Sequence, residues 1–389
     1  MEFEEGELCH VRGFAAEGFI FPAGTLMWSA VAATGMDDTR RSFLEELLSV
    51  STPSGFETAG QRRWLEYVET YADETRVDAY GNAVAIREGD PDAPSIAVAG
   101  HGDEIGLMIR AITDEGFLKL TRIGGSDRTV TKGQHVTVHA DDGPVEGVIG
   151  QVAIHLRDPA KDEYDEIAEQ YVDIGVEDGE AAEELVSVGD PITLAGTLSE
   201  LAGERVAGRG MDNRVGIWTA AEAFRRAVEA DSDATVYAVS TVQEEVGLRG
   251  AEMVGFELDP DAVVVVDVTH ATDQPDSPGE KGSDVELGAG PVVARGSANH
   301  PALVEAVRTV GEGSGIDLQL SATGTRVGTD ADAFYTARGG TPALSVGIPN
   351  RYMHTPVEVV DLDDLEAAAE LLAETARRVG EFAPFGVDL

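Results

Sequence analysis

From residue 95 onward, short unbroken apolar runs alternate with longer stretches of helical spacing. Residues 95–100 (Ser-Ile-Ala-Val-Ala-Gly) end at His101, and 234–242 and 262–268 are continuous in the same way. Such runs, without polar alternation, are expected of strands covered on both faces. Residues 342–347 read as another. Between these runs, 213–228 places Ile217, Ala220, Ala221, Phe224 and Val228 on one helical face, and 302–312 and 362–382 are also helical. The alternation predicts a doubly wound α/β domain.

Residues 106–194 carry a different pattern. Short β-like pieces at 118–123, 135–139 and 145–152 are separated by glycine-rich turns, and an acidic segment follows at 158–184. They predict a small β-rich domain inserted into the α/β domain, with the acidic segment a solvated face. Upstream, Asp37-Asp38-Thr39 before Ser42-Phe43-Leu44-Glu45-Glu46-Leu47-Leu48 is a helix start. Residues 1–35 fall outside the pattern and read as an extension without a place in the fold. The expected division is 36–105 with 195–389 for the α/β domain and 106–194 for the insert.

Composition narrows the setting. The 389 residues carry 72 acidic and 28 basic side chains, a formal charge of −44, and the only lysines are Lys119, Lys132, Lys161 and Lys281. The acids are spread along the chain. Such self-repulsion is tolerable in concentrated salt, where the screening length falls to roughly 3 Å at 1 M. This points to a halophilic protein of a salt-accumulating cytoplasm, and it argues against nucleic acid or an anionic membrane as partner. The single cysteine, Cys9, excludes a disulfide framework and a thiolate zinc site. No run reaches the roughly 18 apolar residues of a membrane span, and the basic start of a signal peptide is missing.

Potential ligands cluster where the predicted strands stop. His101-Gly102-Asp103 follows the first, with Asp103 placed to accept the second ring N–H of His101. Glu244 and Glu245 close the run 234–242, so one carboxylate can hold a metal while its neighbour handles a proton. Asp267 ends Val263-Val264-Val265-Val266, where a buried carboxylate is costly unless paired or metal-bound. Asp212 precedes a helix and reads equally well as an N-cap. His354 lies just past another strand. Two histidines, two aspartates and a glutamate without thiolate suit Zn²⁺, Co²⁺ or Mn²⁺. An aspartate using both oxygens can bridge two metals roughly 3.5 Å apart, and a spare glutamate beside them is a natural general base. Motifs for serine hydrolysis, nucleotide binding or a His-Glu-x-x-His helix are absent.

Seven stretches together resemble family 42 of the metallopeptidases, the tetrahedral or TET aminopeptidases. They are Ser54-Gly55-Phe56-Glu57, His101-Gly102-Asp103-Glu104-Ile105-Gly106, Gly208-Arg209-Gly210-Met211-Asp212-Asn213-Arg214-Val215-Gly216, Val242-Gln243-Glu244-Glu245-Val246-Gly247, Asp267-Val268-Thr269-His270-Ala271, Gly328-Thr329-Asp330-Ala331 and Arg351-Tyr352-Met353-His354-Thr355-Pro356-Val357-Glu358. They run in family order from about residue 36 to the C-terminus, and Gly102 is the one departure noticed. The resemblance implies a mixed sheet of the zinc-peptidase/phosphorylase-like type with an inserted, barrel-like dimerisation domain. It implies that His101, Asp212 and Asp267 hold one metal and Asp212, Glu245 and His354 the other. It further implies Glu244 as general base, Asp103 as the aspartate behind His101, and no ligand role for His270. Short peptides would be the substrates, and dimers would assemble into a dodecamer.

Two rival activities remain at this stage. A two-metal carboxypeptidase or deacylase would share the metals and differ in the substrate end recognised. Relatives have also carried an endoglucanase name, but Glu244 and Glu245, neighbours on one strand end, could not readily flank a sugar ring from opposite sides.

Overall fold

The computed structural model describes residues 35–157, 164–275, 277 and 284–387. The expectation for residues 1–35 lies, except for Gly35, outside the described residues, as do 158–163 of the acidic segment. Asp37 caps the first helix, Asp38–Ser49, its carboxylate accepting from the Thr39 and Arg40 amides.

The strands, in chain order, begin with β1 (Glu74–Val77), β2 (Ala83–Arg87) and β3 (Ser95–His101). The chain then leaves the sheet for β4 (Gly106–Ile112), β5 (Leu118–Ile123), β6 (His135–Ala140), β7 (Gly143–Ile149), β8 (Tyr171–Asp173) and β9 (Pro191–Leu194). It returns through β10 (Ser199–Glu200), β11 (Arg205–Gly208), β12 (Thr235–Thr241), β13 (Ala262–His270), β14 (Val292–Gly296), β15 (Gln319–Thr323), β16 (Ala343–Asn350) and β17 (Glu358–Asp361).

Among the described residues eight strands form one sheet, in the order β1-β2-β12-β3-β13-β16-β14-β15. β12, β3, β13 and β16 run parallel at its centre, while β2 and β14 pair antiparallel at the flanks. The sheet is therefore mixed and doubly wound. Strand β13 shows why its apolar run is unbroken. Val264 and Val266 pack with Trp218, Phe224 and Leu365 on one face, and Val263 and Val265 pack with Val254 and Phe334 on the other. Gly100 on β3 is a close approach, because a Cβ there would come 2.8 Å from the Gly216 carbonyl carbon. The helix Met211–Glu229 thus lies directly against the strand that carries His101.

Strands β4 to β9 close into a barrel, in the order β4-β5-β8-β7-β6-β9. Its core includes Leu107, Leu120, Val136, Val138, Val172 and Ile192. β4, β8 and β9 lie outside the β-like pieces read from the sequence. The edge pair β1–β2 and the small sheet β10-β11-β17 were not foreseen either. β1, β2, β8, β9, β10, β11 and β17 span two to five residues, too few for a periodic signature, and in the seven-residue β4 the burial is broken at Met108 and after Ile109.

Candidate active site

The four parallel strands all end on the same side of the sheet, where open α/β sheets place ligands. In register, Thr241 of β12 lies beside His101 of β3, so the chain leaving β12 brings Glu244 and Glu245 over the His101 ring. Asp267 sits on β13 opposite Gly347 of β16, and β16 leads into the turn that carries His354. Sequence-distant residues are thereby brought into one cleft of about 480 Å³, lined by His101, Asp212, Glu244, Glu245, Asp267 and His354.

Asp103 organises one side. It is fully buried. The His101 Nδ1 lies 3.2 Å from the Asp103 carbonyl oxygen and 3.3 Å from its Oδ1. The same carboxylate accepts from the Ser54 hydroxyl at 2.6 Å and from the amides of Glu244 and Glu245 at 3.0 and 3.2 Å. Burial alone would raise the Asp103 carboxyl, but the His101 ring, Ser54 and the Glu244 amide outweigh it and hold it ionised. One carboxylate thus fixes the imidazole and the backbone of both glutamates.

Asp212 organises the other side. The helix end is served by the neighbouring residue: Asn213 Oδ1 accepts the Gly216 amide at 3.0 Å, and its Nδ2 donates to the Val266 carbonyl at 2.9 Å. With Asn213 serving the helix end, Asp212 turns its carboxylate into the cleft. Its Oδ1 lies 3.2 Å from His101 Nε2, and its Oδ2 lies 3.2 Å from His354 Nε2. Asp267 Oδ1 is 3.6 Å and Glu244 Oε2 3.9 Å from His101 Nε2, and Glu245 Oε1 is 3.6 Å from His354 Nε2. Glu358, on β17, accepts both the Asp212 amide (3.2 Å) and the His354 amide (2.8 Å). That bond steadies His354, which has a positive φ of 63°. The Gly124-Gly125 turn after β5 presses on the same ring, since a Cβ at Gly125 would fall 2.8 Å from His354 Nδ1.

The electrostatics invite cations. Burial pushes the Glu244 carboxyl up to about 9, against the pull of His101, with Asp267, Asp330 and Asp212 adding repulsion. Burial likewise raises Glu245 well above the usual range, moves Asp267 upward and lifts Asp330 to about 7. Burial would lower the His101 imidazole, but the surrounding carboxylates raise it well above its ordinary value. Among the described residues no lysine or arginine lines the cleft, and the buried Glu245 Oε1 has no hydrogen-bond partner. Oxygen and nitrogen donors, an unspent carboxylate oxygen and uncompensated negative charge fit divalent cations. Among the described residues, the ligand atoms of His101, Glu244 and Asp267 lie within 4.8 Å of one another, as do those of His101, Asp212 and Glu245. These two sets draw Glu244 to the His101 side and omit His354, unlike the division the resemblance implies. Asp212 faces His101 and His354 equally, at 3.2 Å each, and Glu244 is the outermost of the groups facing His101.

Four carboxylates in the motifs had no role assigned from the sequence: Glu57, Glu104, Asp330 and Glu358, of which Glu57 is buried and accepts the Gly55 and Gln243 amides at 2.6 and 3.2 Å. Asp330 is hydrogen-bonded to the Thr241 hydroxyl. Glu104, fully buried, pairs with Arg209 and Arg214. His270 lies exposed on the rim.

A model of the M42 glutamyl aminopeptidases matches residues 81–371. The chain belongs to the M42 glutamyl aminopeptidase family. This M42 chain is 34% identical over 336 residues to a lysyl aminopeptidase of Pyrococcus furiosus, covering 84% of this chain and 94% of that one. The TET aminopeptidase of a marine sediment archaeon, Thaumarchaeota archaeon SCGC AB-539-E09, superimposes with a TM-score of 0.83 at 35% identity, covering 88% and 98% of the two chains. The Pyrococcus horikoshii TET1 peptidase, which can assemble into a tetrahedron or a large octahedral shell, superimposes at 0.78 with 31% identity, covering 87% and 99%. Membership in M42 makes this chain an aminopeptidase and a metallopeptidase, dependent on divalent metal ions.

Proposed function

We propose that this chain removes N-terminal residues from short peptides, with two divalent cations held across Asp212 and with Glu244 as general base. His101, Asp212 and Asp267 would hold one ion and Asp212, Glu245 and His354 the other, as Zn²⁺ or Co²⁺, with Mn²⁺ the third option. The observation that carries this reading is the single carboxylate of Asp212 facing two imidazoles, one oxygen to each at 3.2 Å. When bound, the ions would supply polarisation of the peptide carbonyl and a more acidic water.

The remaining work belongs to the side chains. Glu244 faces the cleft from a backbone fixed by Asp103. Bound cations beside it would favour its ionised form, and an ionised carboxylate can take the proton of the attacking water and return it to the leaving amine. Asp103 orients His101, and Glu358 holds Asp212 and His354 in register.

Glu244→Gln tests the base: turnover should fall by about 10²–10⁴-fold while metal content per subunit stays at that of the native protein. Near-normal hydrolysis by that variant would overturn the assignment. A peptide with its amino group blocked separates the aminopeptidase from the carboxypeptidase or deacylase reading, because only the aminopeptidase loses activity on it.

Residues 106–194 are proposed to mediate dimerisation, with dimers assembling to a dodecamer. Exposed Val152, Ile154 and Leu156 on the segment after β7, at 49%, 72% and 79% accessibility, support an apolar contact there. Among the described residues no helix is long and apolar enough to cross a membrane. A cytoplasmic, halophilic setting remains part of the proposal, and the mass of the assembly by light scattering in molar KCl tests the oligomer.

A further inference from the structure

We infer that the side chain removed by this enzyme is neutral and apolar, of the leucine or methionine kind, rather than acidic or basic. The inference rests on the aminopeptidase reading above and names the class of N-terminal residue. Beyond the candidate metal ligands and Glu244, the described residues of the cleft wall are Val268, Thr269, His270, Val327, Gly328, Thr329 and Met353, with no carboxylate, lysine or arginine among them. A charged side chain seated against Val268, Val327 and Met353 would lose water to apolar surface. An apolar one gains contact with Val268, Val327 and Met353.

The charges nearest in sequence are already spent. Arg351, two residues before Met353, makes a bidentate pair with Asp273 at 2.7 and 2.6 Å. Asp332 accepts the amides of Val327 and Gly328 at 3.2 and 2.9 Å, fixing the wall rather than facing a substrate. Asp330 is fully buried and bonded to Thr241. Arg326 is exposed and not part of the lining, and a glutamyl substrate tests it directly.

The experiment compares leucyl, methionyl, glutamyl and lysyl p-nitroanilides on the full chain in molar KCl with Zn²⁺ or Co²⁺, and measures binding of the four amino-acid amides by calorimetry. Leucyl and methionyl substrates should exceed both charged ones in kcat/KM by at least about tenfold, with the amides ranked alike. A glutamyl or lysyl substrate within about threefold of leucyl overturns the inference. If no unblocked substrate is cleaved, the aminopeptidase reading fails, while the amide ranking still decides the neutral preference by itself: apolar amides bound more tightly support it, and equal binding refutes it. Val327→Arg and Met353→Lys, made separately, should each raise the glutamyl-to-leucyl ratio by at least about tenfold. A well-folded variant that leaves the ratio unmoved overturns the assignment of that wall.

Discussion

Two sets of buried acids in this molecule meet opposite fates. Glu104 is completely buried, yet the guanidinium groups of Arg214 and Arg209 overcome the cost of burial and hold its carboxyl at about 2. Around the corner, Glu244, Glu245, Asp267 and Asp330 are as deeply placed, and burial with mutual repulsion drives them all upward. Depth is common to both groups; a fixed positive partner is not. A buried carboxylate answered by arginine is a structural joint, here linking Thr52 and Val50 to the start of the helix Met211–Glu229. Buried carboxylates that lack a fixed cation, such as Glu244, Glu245 and Asp267, are left to bind something mobile and positive.

That contrast can be broken in graded ways. The largest effect is expected from Asp212→Ala, which removes the carboxylate facing both histidines. Activity should fall at least about a thousandfold, equivalent to about 4 kcal/mol, and metal per subunit measured by plasma emission should fall with it. Retained metal would show that Asp212 is not shared. Next, Glu104→Gln leaves Arg214 buried without its anion, and chemical denaturation should register a loss of about 3–5 kcal/mol; a neutral result would erase the distinction between the two clusters. Divalent ions should then stabilise the chelator-treated protein, by about 2.7 kcal/mol at a hundred times the dissociation constant, and an unchanged melting temperature would refute metal binding to the folded state.

The smallest effect is in the pH profile. In metal-free protein, Glu244 at about 9 and Asp330 at about 7 keep protons that their unfolded counterparts have already released. Each therefore lowers stability as pH rises from the unfolded value to the folded one. Glu104 has the opposite sign: its contribution is complete above its ordinary value of 4.5 and is lost only as pH falls toward about 2. Melting in chelator should thus decline between pH 6 and pH 8.5, and metal should flatten the slope. A rising slope in chelator would mean that the cleft carboxylates stay ionised when the protein is metal-free.

Much of the central sheet was legible because β3, β12, β13 and β16 need apolar side chains on both faces, and an unbroken run records that need. The residues that converge on the cleft were legible for a related reason: a charge at the end of such a run stands out. Glu104 did not stand out. Its partners Arg209 and Arg214 lie over a hundred residues away, and no local spacing marks a non-local ion pair. Asn213 was hidden by its neighbour, since either residue of the Asp212-Asn213 pair can cap a helix. The barrel strands β4, β8 and β9 were missed because closure of the barrel, not their own composition, defines them.

The glycine at position 125 has a consequence for how this molecule can be taken apart. It belongs to the barrel by sequence, but the space above its Cα is filled by the His354 ring. The insert is therefore no interchangeable module. Recombining it with a foreign barrel would preserve the site only if the graft also brought a residue without a side chain at that turn. Any other residue would displace His354 before subunit contacts were even tested.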